Sequence, residues 1–351
     1  MAPKPTPRTP IRELPAYVPG RRAADKWKLS SNENPAPPSA AVMTAIADAA
    51  ADVNRYPDMG LEEITQAIAA FHGVSPAQVA VGSGSIAVLE DLLQAYCEAG
   101  DEVVFPWRSF EAYPIAVQVT GATAVKVPLT PDARHDLPAL RAAITDRTKV
   151  VLLCSPNNPT GPVLTQEEVH AFLDDVPRRV LVLLDEAYYE YRTQPDAVDG
   201  STLVADYPNL VVLRTFSKAY GLPGLRVGYG LAHPDVVAAV RATSTAFAVN
   251  ALAQRAAVAA LADRATAMET VGQTVAERDR VLAAVRAAGW EVPDAQGNFF
   301  WLPLGRDALR FAADAEAAGF LVRAFAGDGV RITIGEKEAN DAVIELLRTW
   351  H

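Results

Sequence analysis

The chain has 351 residues, half of them apolar, which is enough for a packed core and more than one ordinary domain usually holds. A formal net charge of −10 with scattered Lys and Arg excludes a surface built for nucleic acid. Five histidines (His72, His135, His170, His233, His351) lack metal-ligand spacing, so no metal site is expected, and Cys97 and Cys154, both inside apolar stretches, read as buried thiols of a reducing compartment.

Residues 1–35 read as an irregular arm: five prolines fall in the first fifteen positions, and no apolar segment follows the basic start as a signal peptide requires. An alanine-rich helix is expected from Ser39 to about Val53 and a second from Leu61 to His72, after the turn Tyr56-Pro57-Asp58-Met59-Gly60. Seven short β-branched runs then alternate with helical stretches: Val79–Val81, Glu102–Phe105, Ala124–Val127, Val150–Cys154, Val180–Leu184, Leu210–Arg214 and Val227–Gly230. Nearly all-apolar strands separated by helices predict a mostly parallel sheet covered on both faces, an α/β large domain over residues 36–245. Helices at Asn250–Leu261 and Thr270–Ala288 follow. Strands near Asn298–Leu302, Leu321–Arg323 and Val330–Ile334 complete a smaller α/β domain over 246–351. Charges interrupt every apolar run well short of the ~20 residues of a membrane span, so the expected location is the cytoplasm.

Four segments carry chemistry. Val81-Gly82-Ser83-Gly84-Ser85-Ile86 runs from a strand end into a helix, where small residues let amide groups approach an anion. Such a turn also serves plain packing in many folds. Cys154-Ser155-Pro156-Asn157-Asn158-Pro159-Thr160-Gly161 fixes a loop at a strand's carboxyl end, where open parallel sheets bind ligands, and offers Asn158 as a placed amide. Asp185, in Leu183-Leu184-Asp185-Glu186-Ala187-Tyr188, stands at the tip of a buried run, a costly place for a carboxylate unless a cation such as a protonated ring nitrogen faces it. Tyr188 follows three positions on. Arg214-Thr215-Phe216-Ser217-Lys218-Ala219-Tyr220-Gly221-Leu222-Pro223-Gly224-Leu225-Arg226 sets a lysine between hydroxyls with a guanidinium eight residues on. That combination suits a Schiff-base lysine beside a phosphate dianion.

Together these segments resemble the fold-type I pyridoxal-phosphate enzymes of the class I and II aminotransferase group, over nearly the whole chain from Asn32 to Gly335. Ser31-Asn32-Glu33-Asn34-Pro35, Asn54-Arg55-Tyr56-Pro57-Asp58 and Gly329-Val330-Arg331-Ile332-Thr333-Ile334-Gly335 are similar to the histidinol-phosphate aminotransferase family. Pro106-Trp107-Arg108-Ser109-Phe110-Glu111-Ala112-Tyr113-Pro114-Ile115 resembles its actinobacterial aromatic amino acid branch.

The resemblance implies pyridoxal 5'-phosphate bound to Lys218 as a Schiff base, with Asp185 on the pyridine nitrogen and Asn158 and Tyr188 on the phenolic oxygen. It implies a phosphate cradle of Ser83, Gly84, Ser85, Thr215, Ser217 and Arg226, and Phe110 stacked on the ring. Arg331 would grip the substrate carboxylate, with Asn34 and Arg323 as further substrate contacts, and Tyr56 would reach the phosphate of a neighbouring subunit in a homodimer. The implied activity moves the amino group of phenylalanine, tyrosine or tryptophan to 2-oxoglutarate. The competing expectation is histidinol phosphate as amino donor, with Arg323 meeting its phosphate. Phe110, where the histidinol-phosphate relatives more often carry tyrosine, removes a hydroxyl that would bond a polar substrate.

Overall fold

The computed structural model describes residues 5–12, 14 and 25–350. Its strands, in chain order, are β1 (Trp27–Lys28), β2 (Val79–Gly82), β3 (Glu102–Trp107), β4 (Thr123–Pro128), β5 (Thr148–Cys154), β6 (Leu181–Asp185), β7 (Leu210–Thr215), β8 (Gly228–Leu231), β9 (Phe299–Leu302), β10 (Phe320–Leu321), β11 (Arg323–Phe325) and β12 (Gly329–Thr333). Seven of them form one sheet in the order β2-β8-β7-β6-β5-β3-β4, parallel except for β8, which runs against both β2 and β7. The mostly parallel seven-stranded sheet expected from the apolar runs is thus present.

The runs are apolar throughout because alternate side chains enter two separate cores. Val151, Leu153, Val182 and Leu184 join the core under helices Ala40–Ala50, Glu62–His72 and Ala251–Ala262. Val150, Leu152, Leu181 and Leu183 join the core under Ser85–Tyr96, Ala112–Thr120 and Pro234–Thr243. Caps set the helix starts. The Ser39 and Asn250 side chains accept from the amides of Val42 and Ala253, and Thr165 and Glu168 form a reciprocal capping box ahead of helix Gln166–Asp175.

A second, three-stranded antiparallel sheet has the order β11-β12-β9, and β1 pairs in parallel with β10. Its core takes Leu29 from the arm and otherwise residues from Val281 onward. The expected domain line at 245/246 falls ahead of helix Ala251–Ala262, whose buried Ala253, Ala256, Ala257 and Ala260 belong to the large sheet's core. Within the arm, Thr9–Arg12 makes one helical turn, and 1–4, 13 and 15–24 lie outside the described residues. Among the described residues no helix is long and apolar enough to cross a membrane.

Candidate active site

Parallel strands deliver their carboxyl ends to one edge of the sheet, and β5, β6 and β7 end there at Cys154, Asp185 and Thr215. β2 delivers Gly82 to the same edge and β8 starts there at Gly228, two residues after Arg226. The small domain's β11 and β12 bring Arg323 and Arg331 over it. The cavity enclosed between them measures about 220 Å³.

Lys218 reaches into it from the loop after β7, its Nζ donating to the carbonyls of Ser31 (3.2 Å) and Asn32 (3.3 Å). Burial and the nearby Arg331 guanidinium push its amine down to about 7, so a neutral nucleophile is available near neutrality. Asp185 is 8% exposed; Tyr113 donates its hydroxyl to Oδ2 at 2.7 Å and the Ala187 amide donates to Oδ1 at 3.2 Å. Burial raises its carboxyl, while these two donors and the charge of Lys218 oppose that rise. Tyr188 accepts from Asn32 Nδ2 at 2.9 Å, and burial lifts its phenol to about 12, which keeps it a hydroxyl. Arg331 is held by Asn158 Oδ1 and the Ser30 carbonyl, both at 2.6 Å from its Nη atoms.

The anion cradle is shaped by missing side chains. A Cβ on Gly228 would lie 2.3 Å from the Ser85 amide nitrogen, and one on Gly84, at φ +86°, would lie 2.5 Å from Arg226 Nη2. The sequence therefore keeps guanidinium, helix amides and the Thr215 and Ser217 hydroxyls close together, with Arg226 Nη1 3.4 Å from Ser217 Oγ. A buried lysine, a buried carboxylate and this cradle in one cavity fit a pyridine ring that bears an aldehyde, a basic ring nitrogen and a phosphate.

Residues 24–347 match the family model described as aminotransferase class I and II. The chain belongs to this family. Among curated relatives, the aromatic amino acid aminotransferase of Streptomyces avermitilis is 50% identical, covering 97% of this chain and 96% of its own. That of Thermobifida fusca is 53% identical over 98% and 96%. The histidinol-phosphate aminotransferase of Sinorhizobium meliloti, solved with pyridoxal 5'-phosphate, superposes at TM-score 0.88 with 30% identity over 99% of this chain and 98% of that one. A Thermus thermophilus aspartate aminotransferase double mutant shares the fold, at TM-score 0.85 and 22% identity over 98% and 99%. This aminotransferase is thus a pyridoxal-phosphate enzyme of fold-type I.

Eleven of the fifteen expected site residues line the cavity: Ser85, Phe110, Asn158, Asp185, Tyr188, Thr215, Ser217, Lys218, Arg226, Arg323 and Arg331. Four do not. Gly84 lies behind the Arg226 guanidinium, and Ser83 faces a second cavity next to residues 240–249. Asn34 turns its Oδ1 to the Ala36 amide beside a small cleft, and Tyr56 is 83% exposed, stacked on Phe247 with centroids 4.6 Å apart. The sequence reading did not single out Tyr113, or the arm residues Ser30, Ser31 and Asn32. Asn32 is fully buried at a left-handed φ of 53°, a conformation asparagine tolerates better than most residues.

Proposed function

We propose that the chain transaminates aromatic amino acids, phenylalanine among them, with 2-oxoglutarate as the acceptor. The observation that carries this reading is the cavity wall beside the lysine: Phe110, Ile86 and Ala187 are apolar, and among the described residues the one guanidinium lining the cavity besides Arg331 and Arg226, that of Arg323, is paired with Glu111. Relatives about half identical over nearly the full chain carry the aromatic name. The roles assigned to individual residues belong to the same proposal. Asp185 holds a carboxylate where the ring nitrogen of the cofactor needs a counter-charge, and the Arg226 cradle holds its phosphate. Pyridoxal 5'-phosphate, when bound, supplies the electron sink for charge left at the substrate Cα. Lys218 Nζ takes the Cα proton and returns a proton on the other side of the exchange, a task matched to an amine that titrates near 7. Arg331 holds the substrate carboxylate with its planar fork, which fixes the Cα–H bond toward Lys218.

The domain division is proposed to fall inside helix Arg264–Ala287, with the arm attached to the small domain through β1 and Leu29. A homodimer is proposed from the exposed apolar side chains Val53, Tyr56, Met59 and Phe247, with Tyr56 completing the phosphate site of the second copy. The two buried free cysteines support a cytoplasmic location. Histidinol phosphate is the weaker reading, because Phe110 puts no hydroxyl on the cavity wall where a polar substrate would bond, and the relatives about half identical carry the aromatic name. Single-turnover absorbance of the holoenzyme separates the two. Fast conversion by phenylalanine and little by histidinol phosphate is expected; the reverse would overturn the aromatic assignment.

A further inference from the structure

Tyr188 carries a single hydroxyl proton, and where that proton points depends on what its oxygen accepts. The oxygen accepts from Asn32 Nδ2 at 2.9 Å, so the proton is left for a different partner. Thr333, on β12, fixes the sense of that amide. The backbone N–H of Asn32 donates to Thr333 Oγ1 at 3.0 Å, and the same hydroxyl donates back to Asn32 Oδ1 at 2.9 Å. Asn32 and Thr333 are 0% and 1% exposed, so bulk water replaces neither bond. A flipped amide would face the Thr333 hydroxyl proton with an NH2 group, and would turn Oδ1 to the phenol as an acceptor for its proton. The carbonyl of Asn32 meanwhile accepts from Lys218 Nζ at 3.3 Å and from Asn298 Nδ2 at 3.2 Å. One buried arm residue thus meets both the amine and the phenol of the site.

We propose that Asn32 is a positioning residue that aims the Tyr188 hydroxyl proton into the cavity. This rests on the residue roles proposed above, which set the cofactor's phenolic oxygen beside that hydroxyl. Along Thr333, Asn32 and Tyr188 each group donates to the next, so the direction runs from β12 through the arm to the cavity. An amide has no charge to gain or lose, so this direction holds at any pH at which the protein is folded; a carboxylate in the same place would accept the phenol's proton instead. A proton donated to the phenolic oxygen stabilises negative charge there. Losing that donor leaves the oxygen more basic, and it then holds the proton on the cofactor-linked Lys218 nitrogen more tightly. Arg331, Lys218, Asp185 and Cys154 also face the phenol, and the variants below replace none of them.

The test follows the absorbance of the holoenzyme against pH. Tyr188→Phe is expected to move the midpoint of the cofactor's colour change upward by about one pH unit, and Asn32→Gly by about half of that or more. Glycine takes the backbone at φ 53° without strain and keeps the carbonyl that Lys218 and Asn298 use. The double variant, Asn32→Gly with Tyr188→Phe, is expected to shift no further than Tyr188→Phe alone, because the amide acts through the phenol. Thr333→Val should move the midpoint upward as well, while Thr333→Ser, which keeps the hydroxyl, should leave it at the wild-type value. A shift that returns with one hydroxyl is not a product of misfolding. A midpoint within about 0.3 of wild type in either Asn32→Gly or Thr333→Val, or shifts that add in the double variant, would overturn the inference. An unmoved midpoint in Tyr188→Phe would sink the phenol's proposed role itself, and the inference with it.

Discussion

Tyr113 and Lys218 set the site's two proton-bearing partners at the scale of single residues. The amine of Lys218 is pushed down to about 7 by burial and by Arg331. Its reactivity toward a small amine-selective reagent in the cofactor-free protein is therefore expected to rise with pH around 7 and to level off above. A midpoint in the ordinary lysine range would contradict the burial argument. The linked stability has the same sign. The unfolded chain binds more protons than the folded one between about 7 and the usual lysine range, so this group makes folding more favourable as pH rises there. Tyr113 donates to the carboxylate of Asp185 and is itself fully buried. Tyr113→Phe removes a bond to a charged acceptor, which is expected to cost about tenfold in kcat with KM nearly constant. It should also shift the pH at which the bound cofactor changes colour, a readout that a purely structural tyrosine would leave in place.

At the scale of elements, the β2–helix turn and the start of β8 work as one piece, because a Cβ on Gly228 would meet the turn's backbone at Gly84 and Ser85, and one on Gly84 would meet the Arg226 guanidinium. Gly84→Ala places a side chain at φ +86° and against Arg226 Nη2. Loss of cofactor affinity by about tenfold or more is expected, read by equilibrium dialysis, with the fold retained. The seven large-sheet strands were legible in the sequence because two-sided burial leaves unbroken apolar runs, and the chemistry lay in the polar residues that end those runs. Other boundaries were not. Asp263 alone separates helices Ala251–Ala262 and Arg264–Ala287, with no glycine or proline to mark the break, so the second helix starts six residues earlier than the expected Thr270. Leu321–Arg323 reads as one strand, yet Leu321 pairs with β1 and Arg323 with β12. Tyr113 pairs with a carboxylate 72 residues away, and Ser30 and Ser31 act through backbone carbonyls, which carry no sequence signal at all.

At the scale of the whole molecule, the proposed homodimer makes a sharp prediction. Lys218→Ala and Tyr56→Ala subunits are each expected to be poorly active alone. Mixed and re-equilibrated, they should recover about a quarter of the wild-type sites, since random pairing leaves one intact site in every hybrid. Recovery of nothing beyond the average of the two variants would mean that each copy carries its site alone. The arm segment has a different reach. Ser30 and Asn32 meet Arg331 and Thr333, each 301 residues further along, and Ser31 meets Lys218. During synthesis the large sheet can be covered on both faces once helix Ala251–Ala262 has emerged behind β8, but the pocket waits for β12. The earliest-made of these residues thus close the part of the pocket made last, and a nascent chain holds its reactive lysine before the arginine that would orient a substrate beside it. Catalysis therefore waits until β12 has been made.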